Sequence, residues 1–178
     1  MAEVRGKFIN LAGGLMSLYP EYLAVADRSL FLRIGKHWNE LEPEGWYDTS
    51  LFELLMQAYA KASPTGEKAL ITLGRKVYPT IKKTVGLPDR LKTPLDFIKY
   101  EAEGFLANHR GPGVRPRRFI KVVDREVIVE APAPGYSEKL YLGVFQGLLE
   151  MCGVKTGCVV QTKSREQGDS TAEFRITW

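Results

Sequence analysis

At Gly111-Pro112-Gly113 the spacing of the apolar residues changes, and this change fixes what kind of fold the chain can form. Upstream, apolar side chains recur every three or four residues, the repeat of a helix face. Downstream, "RRFIKVVDREVIVEAP" alternates singly: Phe119, Lys121 and Val123 to one side, Ile120 and Val122 to the other. Val127 and Val129 alternate with Ile128 in the same way, around a turn at Asp124-Arg125. The helical period returns from Ser137 to Met151, with Leu140, Tyr141, Val144, Phe145, Leu148 and Leu149 available for burial. Gly153 is placed to end that helix. Two further strands follow, "GCVVQTKS" and "TAEFRITW", joined by the polar turn "REQGDS". Helices first, then strand–strand–helix–strand–strand, predict an α+β fold: N-terminal helices packed on a C-terminal four-stranded antiparallel sheet. The 178 residues read as one domain, a helical part over 1–112 and a sheet-containing part over 113–178.

The helical part divides at its own stop signals. Phe8, Leu11, Leu15 and Leu18 form one face, interrupted by Gly13-Gly14, which weaken an isolated helix. That apolar helix with two glycines could pair two copies of the chain, so a homodimer is one open reading. Pro20 suits the start of a second helix and Gly35 its end. "HWNELEPEGWYDTS" reads as a loop, and Asp48, Thr49 or Ser50 caps the next helix. After Pro64-Thr65-Gly66 comes "GEKALITLGRKVYPTIKKTVG", a helical run expected to bend or divide at Pro79. Thr93, Pro94 and Asp96 open the last helix before the change of period, with Leu95, Ile98, Ala102, Phe105 and Leu106 on its apolar side.

Chemistry-bearing patterns are few. The chain has 25 basic and 21 acidic residues, net +4, too even a balance to point to nucleic acid. The basic run "RPRRFIK" enters a strand, so its charges divide between two faces and read as a solvated sheet edge. Cys152 and Cys158 are not a zinc set without further Cys or His nearby, and read as free thiols. No run approaches the ~20 apolar residues of a membrane span; the expected location is cytoplasmic. His37 and His109 both fall at helix ends, where a solvated imidazole is expected. There is no G-x-S-x-G, no Walker loop and no G-x-G-x-x-G after a strand. No enzyme activity and no metal site are expected.

One resemblance adds to this reading. "LGVFQGLLEMCG", with Leu142, Gly143, Val144, Phe145 and Gly147, followed by a strand hairpin, resembles the end of the haem-nitric-oxide/oxygen-binding (H-NOX) and vinyl-reductase-type domains. "VRGKFINLAGGLMSLY" is similar to the opening helix of H-NOX proteins. "GEKALITLGRKV" resembles their G-R helix through Gly74 and Arg75, and "FIKYEAEGFLANHRG" their histidine-bearing helix. The resemblance implies a haem held by an axial histidine and by Y-x-S-x-R on its propionates. Residue by residue, those anchors are missing. The Y-x-S-x-R place is held by "APAPG" at 131–135, and the axial place falls near Ala102 to Phe105, short of His109. The cysteines of vinyl-reductase-like relatives meet Ala172 here. The resemblance therefore implies a haem-free, H-NOX-like bacterial sensory domain in signalling. It would bind a small apolar ligand, or a partner protein, in a cleft between helices and sheet. Phe97, Tyr100, Phe105, Phe145 and Leu148 are the expected lining. A haem-based gas sensor using His109 as axial ligand is the alternative.

Overall fold

In the computed structural model, which describes residues 1–132, 134 and 136–178, the expected order of helices and strands is present. The helices are α1 (Gly6–Met16), α2 (Pro20–Ile34), α3 (Thr49–Ala62), α4 (Lys68–Thr84), α5 (Pro94–Ala107) and α6 (Glu138–Met151). Strands β4 (Arg118–Val123), β5 (Glu126–Ala131), β6 (Cys158–Lys163) and β7 (Ala172–Thr177) form one sheet in the order β4-β5-β7-β6, every neighbour antiparallel. Residue alternation sets its two faces. Val127, Val129, Ala131, Ala172, Phe174 and Ile176 are fully buried, while Val160, opposite Arg175, is about half exposed on the other side. In the edge strand β4 a register shift between Phe119 and Lys121 breaks the expected alternation: Phe119 and Val122, opposite Val129 and Val127, share the inner face, and Lys121 turns outward. The β4–β5 turn has Arg125 at a φ of 58°.

α6 lies over the buried face and is held at its middle and at its first turn. Phe145 packs on Phe174 with ring centroids 5.4 Å apart. At the first turn the carboxylate of Glu138, itself buried, accepts from the Ser164 hydroxyl at 2.6 Å and the Arg165 N–H at 2.7 Å. Burial pushes that carboxyl's pKa upward, but these bonds and one from Gln161 outweigh it, so the pKa is lowered.

The other face of α6 meets α4 at a close backbone approach. A Cβ on Gly143 would lie 2.2 Å from the Ile71 carbonyl oxygen, and one on Gly74 2.4 Å from that of Leu140. A Cβ on Gly147 would fall 2.4 Å from the Arg75 carbonyl. The glycines of "LGVFQG" and "LGRK" are thus explained by helix crossing alone. α4 also runs through Pro79 as one helix and is not divided there. Proline lacks the N–H that would bond to the carbonyl four residues earlier, that of Arg75; α6 packs on this same turn, and tertiary contact holds the helix together.

Local signals elsewhere act as read. Asp48 caps α3 through the Ser50 N–H at 2.8 Å. Thr93 and Asp96 form a reciprocal cap on α5. Gly153 follows α6 at a φ of 73°.

A second sheet departs from expectation. β1 (Glu3–Arg5) pairs antiparallel with both β2 (Trp46–Asp48) and β3 (His109–Arg110). The predicted loop over 37–50 therefore holds a 3-10 turn, Trp38–Glu40, and a strand. Strands of two or three residues are too short to display a period of two. Of the two glycines on α1, Gly13 is packed inward, where a Cβ would sit 2.2 Å from the Trp38 ring, and Gly14 is exposed. The exposed apolar residues Leu18, Val25 and Leu32 follow the end of α1 or lie on α2. No described helix is long and apolar enough to cross a membrane.

Candidate functional site

Four helices besides α6 enclose a cavity of about 340 Å³. Leu11 and Leu15 of α1, Phe52 and Met56 of α3, Leu73 of α4 and Val144 of α6 make its apolar wall. Tyr78, Glu101, His109, Arg117, Tyr136 and Tyr141 make a polar end. Lys7 and Val85, both exposed, stand at its rim. The cavity is not between helices and sheet as the sequence suggested. That space is filled, because Phe145 and Leu148 are both 0% exposed under α6.

The expected lining residues separate accordingly. Tyr100 and Phe105 face the cavity. Phe97, Phe145 and Leu148 are buried in the core and are not among the cavity's lining residues.

His109 is buried, 4% exposed, and not the solvated helix end that was expected. Its segment leaves α5 and pairs with β1, opposite Val4, which turns the ring inward. The ring stacks on Phe105 at 4.1 Å and meets the Phe8 ring edge-on at 5.3 Å. Nδ1 lies 2.7 Å from the Phe105 carbonyl, which can only accept. Nδ1 therefore carries the proton, and the Nε2 lone pair accepts from the Tyr136 hydroxyl at 2.7 Å. Burial lowers the imidazole's pKa from 6.5 to about 4, against the Phe105 bond and with help from the Arg117 charge. The ring is neutral at pH 7 with both nitrogens satisfied. Burial raises the Tyr136 phenol far above its ordinary value, so it remains a donor.

Arg117 was read as part of a solvated basic run. Its side chain is 1% exposed and forms a two-pronged pair with Glu101, at 2.9 and 3.3 Å. The guanidinium lies over the Phe105 ring at 4.0 Å and the Tyr141 ring at 4.5 Å. Burial alone would lower its pKa; the Glu101 carboxylate overcomes this and holds it charged. By contrast, Arg115 and Arg118 are exposed. No sequence signal separates the three arginines, since the partner lies on another element.

Outside the cavity, His37 is a surface group 2.6 Å from Asp27. Cys152 and Cys158 are free thiols. Among the described residues no cluster of His, Cys, Asp and Glu could hold a metal ion. The "APAPG" place lies partly outside the described residues, at Ala133 and Gly135.

No protein-family model matches the sequence, and no curated protein does. Solved structures do match over nearly the whole chain. One, described as modulating haem redox potential through protein-induced porphyrin distortion, superposes at a TM-score of 0.73 with 16% identity, covering 98% of this chain and 99% of that one. The chain has the H-NOX fold. A mutant H-NOX from T. tengcongensis matches at 0.69 and 17% identity, over 97% and 95% of the two chains. An Fe(II) unliganded H-NOX mutant from K. algicida matches at 0.67 and 16%, over the same shares. At such identities the H-NOX likeness is one of fold alone.

Proposed function

We propose that this chain is a haem-free sensory domain on the H-NOX fold, acting by binding and not by catalysis. It takes a small, largely apolar molecule into the helical cavity, in a bacterial cytoplasmic signalling role. Occupancy shifts the helices against the sheet, and a partner protein reads the shift. The observation that carries this reading is the saturation of His109.

An iron porphyrin does not fit the residues present. Iron needs an imidazole nitrogen with a free lone pair aimed at it. Here Nε2 is the one candidate, and the Tyr136 hydroxyl holds it at 2.7 Å. Two propionates bring two negative charges and need cations free to neutralise them. The cavity's buried cation, Arg117, is already neutralised by Glu101, and Lys7 at the rim pairs with Glu44 at 3.2 Å. Helix α5, where the resemblance puts the axial ligand, presents Tyr100, Glu101, Gly104 and Phe105 to the cavity and no imidazole. One comparison structure is described as an oxygen-binding H-NOX domain related to soluble guanylate cyclases. That fits a ligand-sensing use of the architecture, with a different occupant here.

The cavity suits a modest ligand. A cavity of ~150 Å³ takes benzene, so 340 Å³ corresponds to roughly a dozen non-hydrogen atoms. Native mass spectrometry of protein purified from its own host tests the reading. The expected spectrum carries one extra mass of roughly 150–250 Da, corresponding to that size. A retained haem mass contradicts it.

A further inference from the structure

Resting on that reading, we infer that the ligand is an uncharged lipophilic carbonyl compound, its oxygen held by the Tyr78 hydroxyl and the free N–H groups of Arg117. Tyr78 is 8% exposed and lines the polar end of the cavity. Among the described residues its hydroxyl makes no hydrogen bond, and it is not one of the atoms sealed off without a partner, so it is open to the cavity. The neighbouring tyrosines differ: Tyr136 bonds His109, and Tyr141 accepts from Arg117 at 3.5 Å. Opposite Tyr78 stands Gly104, where an added Cβ would lie 3.9 Å from the hydroxyl. A methyl there would touch the hydroxyl, so the bare glycine leaves a gap of that size beside it within the cavity.

Arg117 adds donors at the same end. A guanidinium has five N–H groups. Two bond Glu101 and one bonds Tyr141, leaving two without a partner among the described residues. The site is therefore rich in donors yet balanced in charge, since Glu101 cancels Arg117 and His109 is neutral. A carboxylate would bring a buried charge with no counter-ion, which is costly. A hydrocarbon would leave the donors unmet. A neutral carbonyl accepts from them and brings no charge, while its apolar body faces Leu11, Phe52, Met56 and Leu73.

Calorimetric titration with three probes of matched shape separates the classes: benzylacetone, butylbenzene and hydrocinnamate. Benzylacetone is expected to bind about tenfold tighter than either of the others. In Tyr78→Phe its preference over butylbenzene falls about fivefold while butylbenzene affinity is unchanged, the net worth of one hydrogen bond. Tyr78→Phe removes only an unpartnered hydroxyl, and an unchanged melting temperature shows that the fold is intact. Equal binding of ketone and hydrocarbon, tightest binding of the carboxylate, or a preference that survives in Tyr78→Phe overturns the carbonyl assignment and leaves the cavity reading standing. Failure of wild-type protein to bind any of the three overturns both.

Discussion

Glu101→Ala lowers the stability of this protein by about 3–5 kcal/mol, the cost of leaving a buried charge unpaired. Arg117 has nowhere to go: its side chain is 1% exposed and lies between the rings of Phe105 and Tyr141. With the carboxylate gone, the guanidinium cannot lose its proton at any workable pH. It must either be hydrated inside the cavity or be driven out of it. For a chain of this size the loss corresponds to a drop in melting temperature of roughly 6–20 °C. The double replacement Glu101→Leu with Arg117→Met behaves differently. It removes both charges and the desolvation cost they share, and recovers to within about 1 kcal/mol of the parent. Chemical denaturation of the parent, the single variant and the double variant measures this directly. Equal stability of Glu101→Ala and the parent would mean that the pair is solvated.

His109 makes the fold sensitive to acid well above the carboxylate range. Its folded pKa is about 4 against an ordinary 6.5, because burial disfavours the imidazolium. The unfolded chain therefore binds more protons than the folded one between these values, and stability rises with pH in that window. Above pH 6.5 both states hold a neutral ring and the contribution is full. As pH falls it is lost, about 2 kcal/mol by pH 5 and roughly 3 kcal/mol by pH 4. Glu138, Asp48 and Asp96 have lowered pKa values, so their own losses come at lower pH. Glu53 and Glu166, raised by burial, act in the opposite sense, so the histidine is read from the difference between parent and His109→Gln in urea midpoints at pH 7 and pH 5. His109→Gln, which cannot titrate at this position, is expected to lose about 2 kcal/mol less than the parent over that interval. A His109→Gln protein as acid-sensitive as the parent would assign the slope to other groups.

The features that were legible in the sequence share one property: their cause is local. The change of period at Gly111-Pro112-Gly113, the Thr93–Asp96 cap and the closing hairpin each depend on residues within a few positions of one another. Gly74, Gly143 and Gly147 were visible as a pattern, but their reason, the contact of two helix backbones, joins α4 to α6 across the fold. The site was less legible for the same reason. Arg117 is buried because Glu101 sits sixteen residues upstream on α5, and nothing in "RPRR" marks it from its neighbours. His109 turns inward because two residues of backbone pair with β1, a strand too short to announce itself. Tyr78 shares an apolar helix stripe with Leu70 and Gly74, so its ring was predictable as core. The unused hydroxyl was not, because satisfaction of a polar group is a property of everything around it.

Haem titration tests the central claim most directly. With the purified protein and stoichiometric haemin, the Tyr136 hydroxyl keeps the His109 nitrogen, and the spectrum remains the broad absorbance of unbound haemin, unchanged in His109→Ala. A sharp Soret band in the parent that disappears in His109→Ala would contradict the account.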